Sequence, residues 1–377
     1  MKIAQVINNF SHTSIPVEMA EIMAHDECVD IISFYDSSQR IEQLSQDSCA
    51  HVNRLIGCDA KNDLLKGIKE LVNVLIIGDY DIIHTHHTLS AAIVSCFRYK
   101  LKGKIITTIH GSSFSYSKLQ NFIYAYIVHY ADGIAYNSNA TLNSMYAWQK
   151  KMKRRDCIEK VIYNGIDVER IFNADRAYAD TFFEKYDIPT SAFLLVQIGR
   201  LEKVKNPFSA LKAFEMYLRM NDSRKDVYFI FVGDGSQRLE LERYACESDV
   251  LYKNTKFIGT IKRDEVYSLM HIIDMQIIPS YNEGFCNALF ESLSLGNQVL
   301  VSDIPVFNEL LKNQVEVCKF NPKSVESISE ALYYALNNQS SNTGKSKYSD
   351  FVSKELSSKK CKEEYFKLYK EVMQYYA

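Results

Sequence analysis

Short apolar segments alternate with longer amphipathic segments along most of the chain. Near the amino terminus, residues 2–7 and 29–34 are rich in Ile and Val, and residues 17–23 between them have apolar side chains at helical spacing. The same alternation predicts further strands at residues 80–84, 104–109, 133–136 and 161–163. Because these strands are apolar almost throughout, they are typical of a parallel sheet covered by helices on both faces.

A second series of the same kind follows a more polar stretch, residues 164–191. Its predicted strands are residues 193–198, 227–232, 256–258, 275–278, 299–302 and 315–318, and its predicted helices include residues 207–218, 237–246 and 288–295. After the low-complexity residues 337–349, a last amphipathic helix is predicted over residues 351–376. The pattern thus predicts two doubly wound α/β domains, and two domains imply a cleft.

Composition narrows the class of protein. The 377 residues carry 44 Lys and Arg against 46 Asp and Glu, a net charge of −2, which gives no overall attraction to nucleic acid. Nine scattered cysteines without zinc-ligand spacing indicate a reducing cytoplasm. The chain begins without a signal-peptide pattern, and no apolar run reaches the roughly 18 residues of a membrane-spanning helix. We therefore predict a cytoplasmic protein, soluble or peripherally bound.

The segment 280–303 has the most informative arrangement of charged side chains. A predicted strand ends at Pro279, a loop carries Glu283, and a helix is predicted to start near Asn287. Ligands of parallel sheets bind at the carboxyl ends of the strands, and free backbone N–H groups at a helix start suit a phosphate. We expect Glu283 to face this crevice and Glu291 to accept hydrogen bonds from a ribose diol. The alternative for Glu291 is an ordinary surface glutamate.

Two cations follow the first strand of the second series. Gly199 and Arg200 come directly after residues 193–198, and Lys205 lies five residues further on. A guanidinium binds phosphate with two parallel N–H groups and an ammonium acts as a point charge, so the pair suits a nucleoside diphosphate. The alternative is a solvated basic loop.

Four motifs together resemble the carboxyl-half signature of retaining GT-B glycosyltransferases of family 4. They are YNGID at 163–167, GRLEKVKN at 199–206, FVGDGSQRLELE at 231–242 and EGFCNALFE at 283–291. The resemblance implies two Rossmann-like domains facing across a cleft, with a nucleotide-sugar donor held mainly by the second. The implied division is residues 1–163 on the acceptor side, residues 164–355 on the donor side, and a helix at 356–377 that crosses back onto the first domain.

The resemblance also implies roles for individual residues. Arg200 and Lys205 would bind the donor diphosphate, Glu283 would lie near the donor sugar, and Glu291 would bind the ribose. The implied donor-binding set is Gly199, Arg200, Lys205, Gly233, Gly235, Glu283, Gly284, Phe285, Cys286, Asn287 and Glu291. Of these, Gly233 and Gly235 would lie near the base, or alternatively form a plain turn after a strand.

In the first half, the TIHG sequence at 108–111 resembles the family position where a histidine enters the cleft beside the reacting sugar. His110 therefore joins Arg200, Lys205 and Glu283 in the predicted catalytic set, although a histidine after a strand can also be structural. The DIIHTHH sequence at 81–87 suggests a metal site. The family has a comparable pattern here, no carboxylate or cysteine nearby completes a site, and GT-B chemistry generally needs no metal. We expect no metal and no other cofactor.

Two positions depart from the family pattern. Residues 8–19 contain no glycine, whereas many relatives have a Gly-Gly pair in this loop. Asn8 and Asn9 tolerate left-handed conformations, so a tight turn remains open, but the phosphate contact and the acceptor inference from this side are weakened. Cys286 stands where relatives often have Gly or Pro, and we expect an inert thiol there.

A basic cluster follows Tyr146 and Trp148. It consists of Lys150, Lys151, Lys153, Arg154 and Arg155. The cluster is either a solvated surface or a contact with anionic lipid, where each basic residue contributes about 1 kcal/mol. Contact with lipid would suit an enzyme whose acceptor is lipid-linked.

The sequence thus predicts a metal-independent, retaining glycosyltransferase. It would move a sugar from a nucleoside diphosphate to a hydroxyl of a glycan or lipid-linked acceptor, in bacterial surface polysaccharide or lipopolysaccharide assembly. It would act in the cytoplasm, either free or bound peripherally at the cytoplasmic face of the inner membrane. The departing phosphate oxygen would take the acceptor proton during same-face attack, with no covalent nucleophile assigned. The alternatives are a GT-B nucleotide-sugar epimerase and a non-catalytic binding subunit with the same fold.

Overall fold

The computed structural model describes residues 1–11, 14–44, 49–220, 226–311, 317–337 and 345–375. The chain divides into two compact units. Unit 1 consists of Met1–Gly165 and Ser358–Ala377, and unit 2 consists of Ile166–Ser357. In the described part of the chain, none of the helices combines the length and apolar character that a membrane crossing requires.

Unit 1 is built on a seven-stranded parallel sheet with the strand order β3-β2-β1-β4-β5-β6-β7. The strands are β1 Lys2–Ile7, β2 Cys28–Ser33, β3 Arg54–Gly57, β4 Ile82–Thr85, β5 Lys104–Ile109, β6 Gly133–Tyr136 and β7 Ile158–Val161. The α-helices are α1 Ile15–Ala24, α2 Ser38–Leu44, α3 Leu64–Gly78, α4 Thr88–Cys96, α5 Lys118–Tyr130, α6 Asn139–Ser144 and α7 Ala147–Met152. The strand order reverses between β1 and β4, so a crevice opens at their carboxyl ends.

The central strands of this sheet are buried on both faces. On β1, Ile3 and Ile7 pack into one hydrophobic core, whereas Ala4 and Val6 belong to a second core on the opposite face. This division follows from the alternation of side chains along a strand. The continuous apolar character of the strand thus reflects helices on both sides.

Unit 2 contains a six-stranded parallel sheet with the order β10-β9-β8-β11-β12-β13. Its strands are β8 Phe193–Ile198, β9 Val227–Val232, β10 Thr255–Gly259, β11 Met275–Ile278, β12 Gln298–Ser302 and β13 Cys318–Phe320. Its α-helices are α8 Val168–Phe172, α9 Ala177–Lys185, α10 Pro207–Met220, α11 Arg238–Glu247, α12 Leu251–Asn254, α13 Arg263–Met270, α14 Asn287–Ser294, α15 Pro305–Leu310, α16 Val325–Asn337 and α17 Lys345–Glu355. Here the order reverses between β8 and β11, which places the loops after these two strands at one crevice.

The prediction of one continuous last helix over residues 351–376 is wrong. The structure has α17 and then a separate helix, α18, at Ser358–Tyr375. Between them, the Ile166 backbone N–H donates to the Leu356 carbonyl at 2.8 Å, and Ser357 forms a β-bridge with Ile166. The chain therefore leaves helical geometry where it pairs with a distant segment, which helical periodicity alone does not reveal.

Three strands also differ from the prediction. β7 is Ile158–Val161 rather than residues 161–163, and β3, at Arg54–Gly57, was not predicted. Both are edge strands of the sheet in unit 1, and β7 is only half-buried, so their apolar signal is weak. The predicted strand 315–318 lies partly outside the described residues, and β13 occupies Cys318–Phe320.

Candidate functional site

The crevice of unit 2 brings together a cation from the loop after β8 and an anion from the loop after β11. Lys205, at the end of the short 3₁₀ turn Lys203–Lys205, contacts Glu283 with 2.6 Å between Nζ and Oε1. The Ser280 hydroxyl donates to the same carboxylate oxygen at 2.6 Å. Burial is the largest single effect and lowers the pKa of Lys205, but the charge and hydrogen bond of Glu283 together with the Cys286 thiol raise it more, so the pKa lies above its usual value. Lys205 is therefore charged and partly neutralised before any ligand binds.

Arg200 differs from Lys205 in its surroundings. It is exposed in the loop after β8, and in the described part of unit 2 it makes no salt bridge. Its guanidinium, near the partly buried Lys205–Glu283 pair, is a positive charge that a ligand can reach from solvent. The predicted diphosphate-binding residues thus lie in the same loop after β8, with Arg200 open to solvent and Lys205 held by Glu283.

The loop from β11 to α14 changes direction at Cys286. This residue has φ 78° and ψ 81°, a left-handed conformation that favours glycine, and it precedes the first residue of α14, Asn287. Burial, reinforced by the charge of Glu283, raises the pKa of the Cys286 thiol to about 12, so the thiol stays protonated. Gly284 is half-buried in the same loop.

The side chain of Phe285 is not available to a ligand. It is buried in the core of unit 2, with its ring 4.8 Å from that of Phe290 between centroids. Only the backbone of this predicted donor-binding residue remains for a contact with the donor. Its side chain instead anchors the loop that carries the start of α14.

Glu291 is not an ordinary surface glutamate, because it is only 2% exposed. Its carboxylate forms an ion pair with Arg263, which lies at the start of α13. The same guanidinium donates from Nε to the Tyr267 hydroxyl at 2.7 Å and lies 5.1 Å from the centre of that ring. Arg263 was not predicted, since nothing in the sequence connects it to Glu291, 28 residues away.

Three glycines allow the loops after β8 and β9 to approach each other. A Cβ atom on Gly233, which has φ 131°, would lie 2.1 Å from the carbonyl oxygen of Gly199. A Cβ atom on Gly235 would lie 2.6 Å from the Leu201 carbonyl oxygen. Gly199 itself has φ 141° and open space around it. This close packing fits the turn alternative for Gly233 and Gly235, and their contact with a base stays a prediction.

In unit 1, His110 follows β5 and interacts with a second histidine. His86 Nε2 lies 2.6 Å from Gln5 Oε1, and its Nδ1 lies 3.2 Å from His110 Nε2. Because the amide oxygen only accepts, His86 carries its proton on Nε2, and its Nδ1 then accepts from His110 Nε2. Burial lowers the pKa of His110 to about 3. His110 is thus a neutral imidazole whose Nδ1 is an acceptor.

The other histidines of residues 81–87 are held by hydrogen bonds. His84 Nδ1 lies 2.7 Å from the Tyr369 hydroxyl, and its Nε2 lies 2.7 Å from Thr108 Oγ1. His87 Nδ1 accepts from the Asn8 backbone N–H at 3.2 Å. With both nitrogens of His84 engaged, this ring offers no lone pair to a metal, and the hydrogen-bond network accounts for the run.

The glycine-free loop after β1 is fixed by side-chain contacts in the part that is described. The Asn8 side chain accepts from the Ser90 backbone N–H at 3.2 Å, and the Phe10 backbone N–H donates to Asp36 at 2.6 Å. Neither Asn8 nor Asn9 has a positive φ, so the left-handed turn considered for them is not used. Residues 12 and 13 of this loop lie outside the described residues.

The basic cluster after Trp148 divides into two parts. Lys153 pairs with Glu159, and Arg154 pairs with Asp132 and Asp156. The other three members are exposed: Lys150, Lys151 and Arg155. Only these three can contribute charge to an external partner.

The chain is similar to known glycosyltransferases. Residues 179–350 match the family described as Glycosyl transferases group 1, and residues 34–170 match Glycosyltransferase Family 4. The chain is 26% identical to the O-antigen biosynthesis glycosyltransferase WclY of Escherichia coli over 69% of this chain and 71% of that protein. It is also 26% identical to the UDP-Gal:alpha-D-GlcNAc-diphosphoundecaprenol alpha-1,3-galactosyltransferase of Escherichia coli, over 71% of this chain and 70% of the relative.

Solved structures with the same fold cover nearly the whole chain. The Anabaena HepE protein in complex with UDP and glucose superposes with a TM-score of 0.81 at 16% identity, covering 98% of this chain and 100% of that one. The sucrose-phosphate synthase of Thermosynechococcus elongatus gives a TM-score of 0.78 at 14% identity, covering 99% of each chain. The predicted fold is thus confirmed, and the chain belongs to the family 4 glycosyltransferases with the GT-B fold.

Proposed function

We propose that this glycosyltransferase moves a sugar from a nucleoside diphosphate to a hydroxyl acceptor, with retention of configuration and without a metal. The observation that carries the proposal is the crevice of unit 2. Exposed Arg200 and charged Lys205 lie in the loop after β8, and α14 starts at the end of the loop after β11. Two cations and the backbone N–H groups at a helix start suit the two charges of a diphosphate. The HepE structure with UDP and glucose supports a donor of this class.

The leaving group is the donor diphosphate, and its developing charge needs compensation. Arg200 and Lys205 supply that charge from the protein, which is electrostatic preorganisation in place of a metal ion. The Oε1 atom of Glu283 already accepts from Lys205 and Ser280, so its Oε2 can accept from a sugar hydroxyl. Glu283 would thereby orient the sugar and hold Lys205 in place.

Retention is proposed to proceed by attack on the same face from which the diphosphate leaves. The departing phosphate oxygen takes the acceptor proton, and the new glycosidic bond forms as the old one breaks. A covalent nucleophile is disfavoured because Glu283 is bound by Lys205 and Glu291 by Arg263. His110, which stays neutral, would hydrogen bond to the reacting sugar through its Nδ1.

The acceptor is proposed to be a glycan or a lipid-linked sugar in bacterial surface polysaccharide assembly. The names of the two Escherichia coli relatives, which specify O-antigen biosynthesis and a diphosphoundecaprenol acceptor, support this class. A lipid-linked acceptor would be reached at the cytoplasmic face of a membrane.

An exposed aromatic surface supports contact with such a membrane. Phe114 is 68% exposed, its ring lies 5.8 Å from that of Tyr146, and the Tyr146 ring stacks at 6.5 Å on Trp148. Lys150 and Lys151 follow on the same short helix, α7. Aromatic side chains beside lysines are typical of surfaces that lie in the headgroup region of an anionic bilayer.

The donor proposal is tested by thermal shift with UDP, GDP, ADP and their sugars, with and without EDTA. One nucleotide is expected to raise the melting temperature regardless of EDTA, since ligand at 100 times its dissociation constant adds about 2.7 kcal/mol. The shift should vanish in Arg200→Ala and persist in Arg243→Ala, a control at another exposed arginine of unit 2. No shift with any nucleotide would favour the binding-subunit alternative.

Product analysis then separates transfer from epimerisation. A transferase releases nucleotide in proportion to added acceptor, whereas an epimerase changes the sugar nucleotide without an acceptor. Nuclear magnetic resonance of the product linkage reads the anomeric configuration directly. An inverted linkage would contradict retention while leaving the transferase proposal intact.

Membrane contact is tested by flotation with vesicles of phosphatidylglycerol and phosphatidylethanolamine. The protein is expected to float with anionic vesicles, and the Trp148→Ala and Lys150→Gln/Lys151→Gln variants should float less. Lys61→Gln/Lys69→Gln, which removes two exposed lysines elsewhere in unit 1, serves as the charge-matched control. Equal flotation of all variants would refute this surface as the docking site.

A further inference from the structure

Two histidines and a glutamate meet at the surface of unit 1. Glu21 and His25 are four residues apart at the end of α1, where side chains at this spacing share one face. His51 reaches the same place from the segment that precedes β3. One potential ligand atom from each residue lies within 4.8 Å of the others, and in the described part of the chain this is the only group of its kind.

The contacts within this group leave one atom unsatisfied. His51 Nδ1 lies 2.7 Å from Glu21 Oε1, and the His51 backbone N–H donates to the same oxygen at 3.2 Å. The rings of His25 and His51 lie 3.8 Å apart between centroids. Although the Glu21 side chain is 25% exposed, its Oε2 atom is buried and has no hydrogen-bond partner. A buried carboxylate oxygen without a partner is costly, and a bound cation would remove that cost.

We propose that Glu21, His25 and His51 bind a divalent transition-metal ion of the zinc type. Two imidazoles and one carboxylate form a ligand set that zinc accepts, with a fourth position left for water. Mg²⁺ and Ca²⁺ prefer oxygen ligands, so the two imidazoles select against them. Asp26, the next acidic residue on this helix end, is bound to Lys362 at 2.7 Å and is not part of the set.

The ion would join two segments that are distant in sequence. Glu21 lies on α1 and His25 caps the carboxyl end of that helix, whereas His51 lies just before β3, an edge strand of the sheet in unit 1. Binding a ligand to the folded state alone stabilises it by mass action, so the ion would stabilise the attachment of this edge. The three residues include none of the proposed donor-binding or catalytic side chains, so the site is structural.

The test uses the full chain without a histidine tag, freed of metal by chelator and dialysed. Calorimetric titration with Zn²⁺ should give one site per chain, and titration with Co²⁺ should give the visible absorption of a low-coordinate site. Zn²⁺, but not Mg²⁺, should raise the melting temperature. Because loss of an outer-shell partner already weakens metal sites by about 10- to 100-fold, Glu21→Gln and His51→Ala should each weaken binding at least about tenfold.

His129→Ala is the matched control, because it removes an exposed histidine of unit 1 outside the cluster. This variant should bind Zn²⁺ like the wild type. Nucleotide-dependent thermal shifts should be unchanged in all of these variants, which separates the metal site from the donor site. Equal Zn²⁺ affinity in His51→Ala and the wild type, or no binding by the wild type, would overturn the proposal.

Discussion

At the scale of single residues, the ion pair between Glu291 and Arg263 shows how a buried charge depends on its partner. Glu291 is almost fully buried, and Arg263 lies over the Tyr267 ring. Removing one partner of a buried pair leaves an uncompensated charge, which costs about 3 to 5 kcal/mol. The ion pair therefore constrains the position of any ligand group that binds Glu291.

We predict that Arg263→Met lowers the free energy of unfolding by about 3 kcal/mol or more. Urea denaturation monitored by circular dichroism measures this loss. The double variant Arg263→Met/Glu291→Gln should recover part of it, because the orphaned charge is then absent. If the double variant loses as much free energy of unfolding as the two single variants together, the loss in Arg263→Met does not come from the unpaired charge of Glu291.

Buried His84 makes stability depend on pH. Burial lowers the pKa of His84 from 6.5 to about 3. Between these values the unfolded chain binds a proton that the folded chain does not, so acid favours unfolding. The contribution is fully present above about pH 6.5 and is lost progressively as the pH falls toward about 3.

Urea denaturation should therefore show that the free energy of unfolding declines steeply as the pH falls from 6.5 to 5. Each such histidine contributes up to about 1.4 kcal/mol per pH unit. Replacing His84 by Gln, which retains hydrogen-bonding groups, should make the decline shallower by about that amount. If the free energy of unfolding of this variant falls with pH as steeply as that of the wild type, His84 is not the source of the pH dependence.

At the scale of elements, the loops after β8 and β9 pack so closely that Gly233 leaves no room for a side chain. A Cβ atom there would meet the backbone of Gly199, which cannot move away as a flexible side chain would. At Gly199 the added atom meets open space, and only its positive φ opposes a substitution. A substitution at Gly233 therefore adds both a steric clash and backbone strain, whereas a substitution at Gly199 adds backbone strain alone.

We predict that Gly233→Ala destabilises the protein by about 1 to 3 kcal/mol more than Gly199→Ala, since overpacking adds to strain. Denaturant titration of both variants provides the comparison. Equal losses would mean that the loops separate at little cost. Nucleotide thermal shifts on the same samples would report whether the approach of the two loops matters for donor binding.

At the scale of the whole molecule, the carboxyl-terminal helix belongs to the unit that begins the chain. Leu368, Tyr369 and Val372 of α18 are fully buried in the core that also contains Ile3 and Ile7 of β1. Tyr369 also lies within hydrogen-bonding distance of His84. Helix α18 therefore completes the core of unit 1 next to His84.

We predict that Leu368→Ala lowers the free energy of unfolding by about 2 to 5 kcal/mol, the usual cost of such a cavity. Lys370→Ala, on the exposed side of the same helix, is the control and should change stability little. Thermal denaturation of both variants tests this. Similar losses from the two substitutions would show that α18 contributes little to the core.

Much of the fold could be predicted because the central strands are buried on both faces. The predicted strands 104–109, 133–136, 193–198, 227–232 and 275–278 coincide with β5, β6, β8, β9 and β11. The edge strands β3 and β7 of unit 1 were missed or misplaced, since a half-exposed strand such as β7 carries the residues Ile, Glu, Lys and Val and has no continuous apolar run. The break before α18 was missed because a single pairing with Ile166 interrupts the helix.

The sequence by itself determined two parallel α/β domains, the family and the loops that carry the candidate site, because local apolar patterns and motif order encode these features. Only the tertiary structure decided which charges are paired: Lys205 with Glu283, Glu291 with Arg263, and Arg200 left open. It also decided that Glu21, His25 and His51 meet. The reason is that ion pairs and ligand clusters depend on distances between side chains far apart in sequence, which the packing of strands and helices fixes.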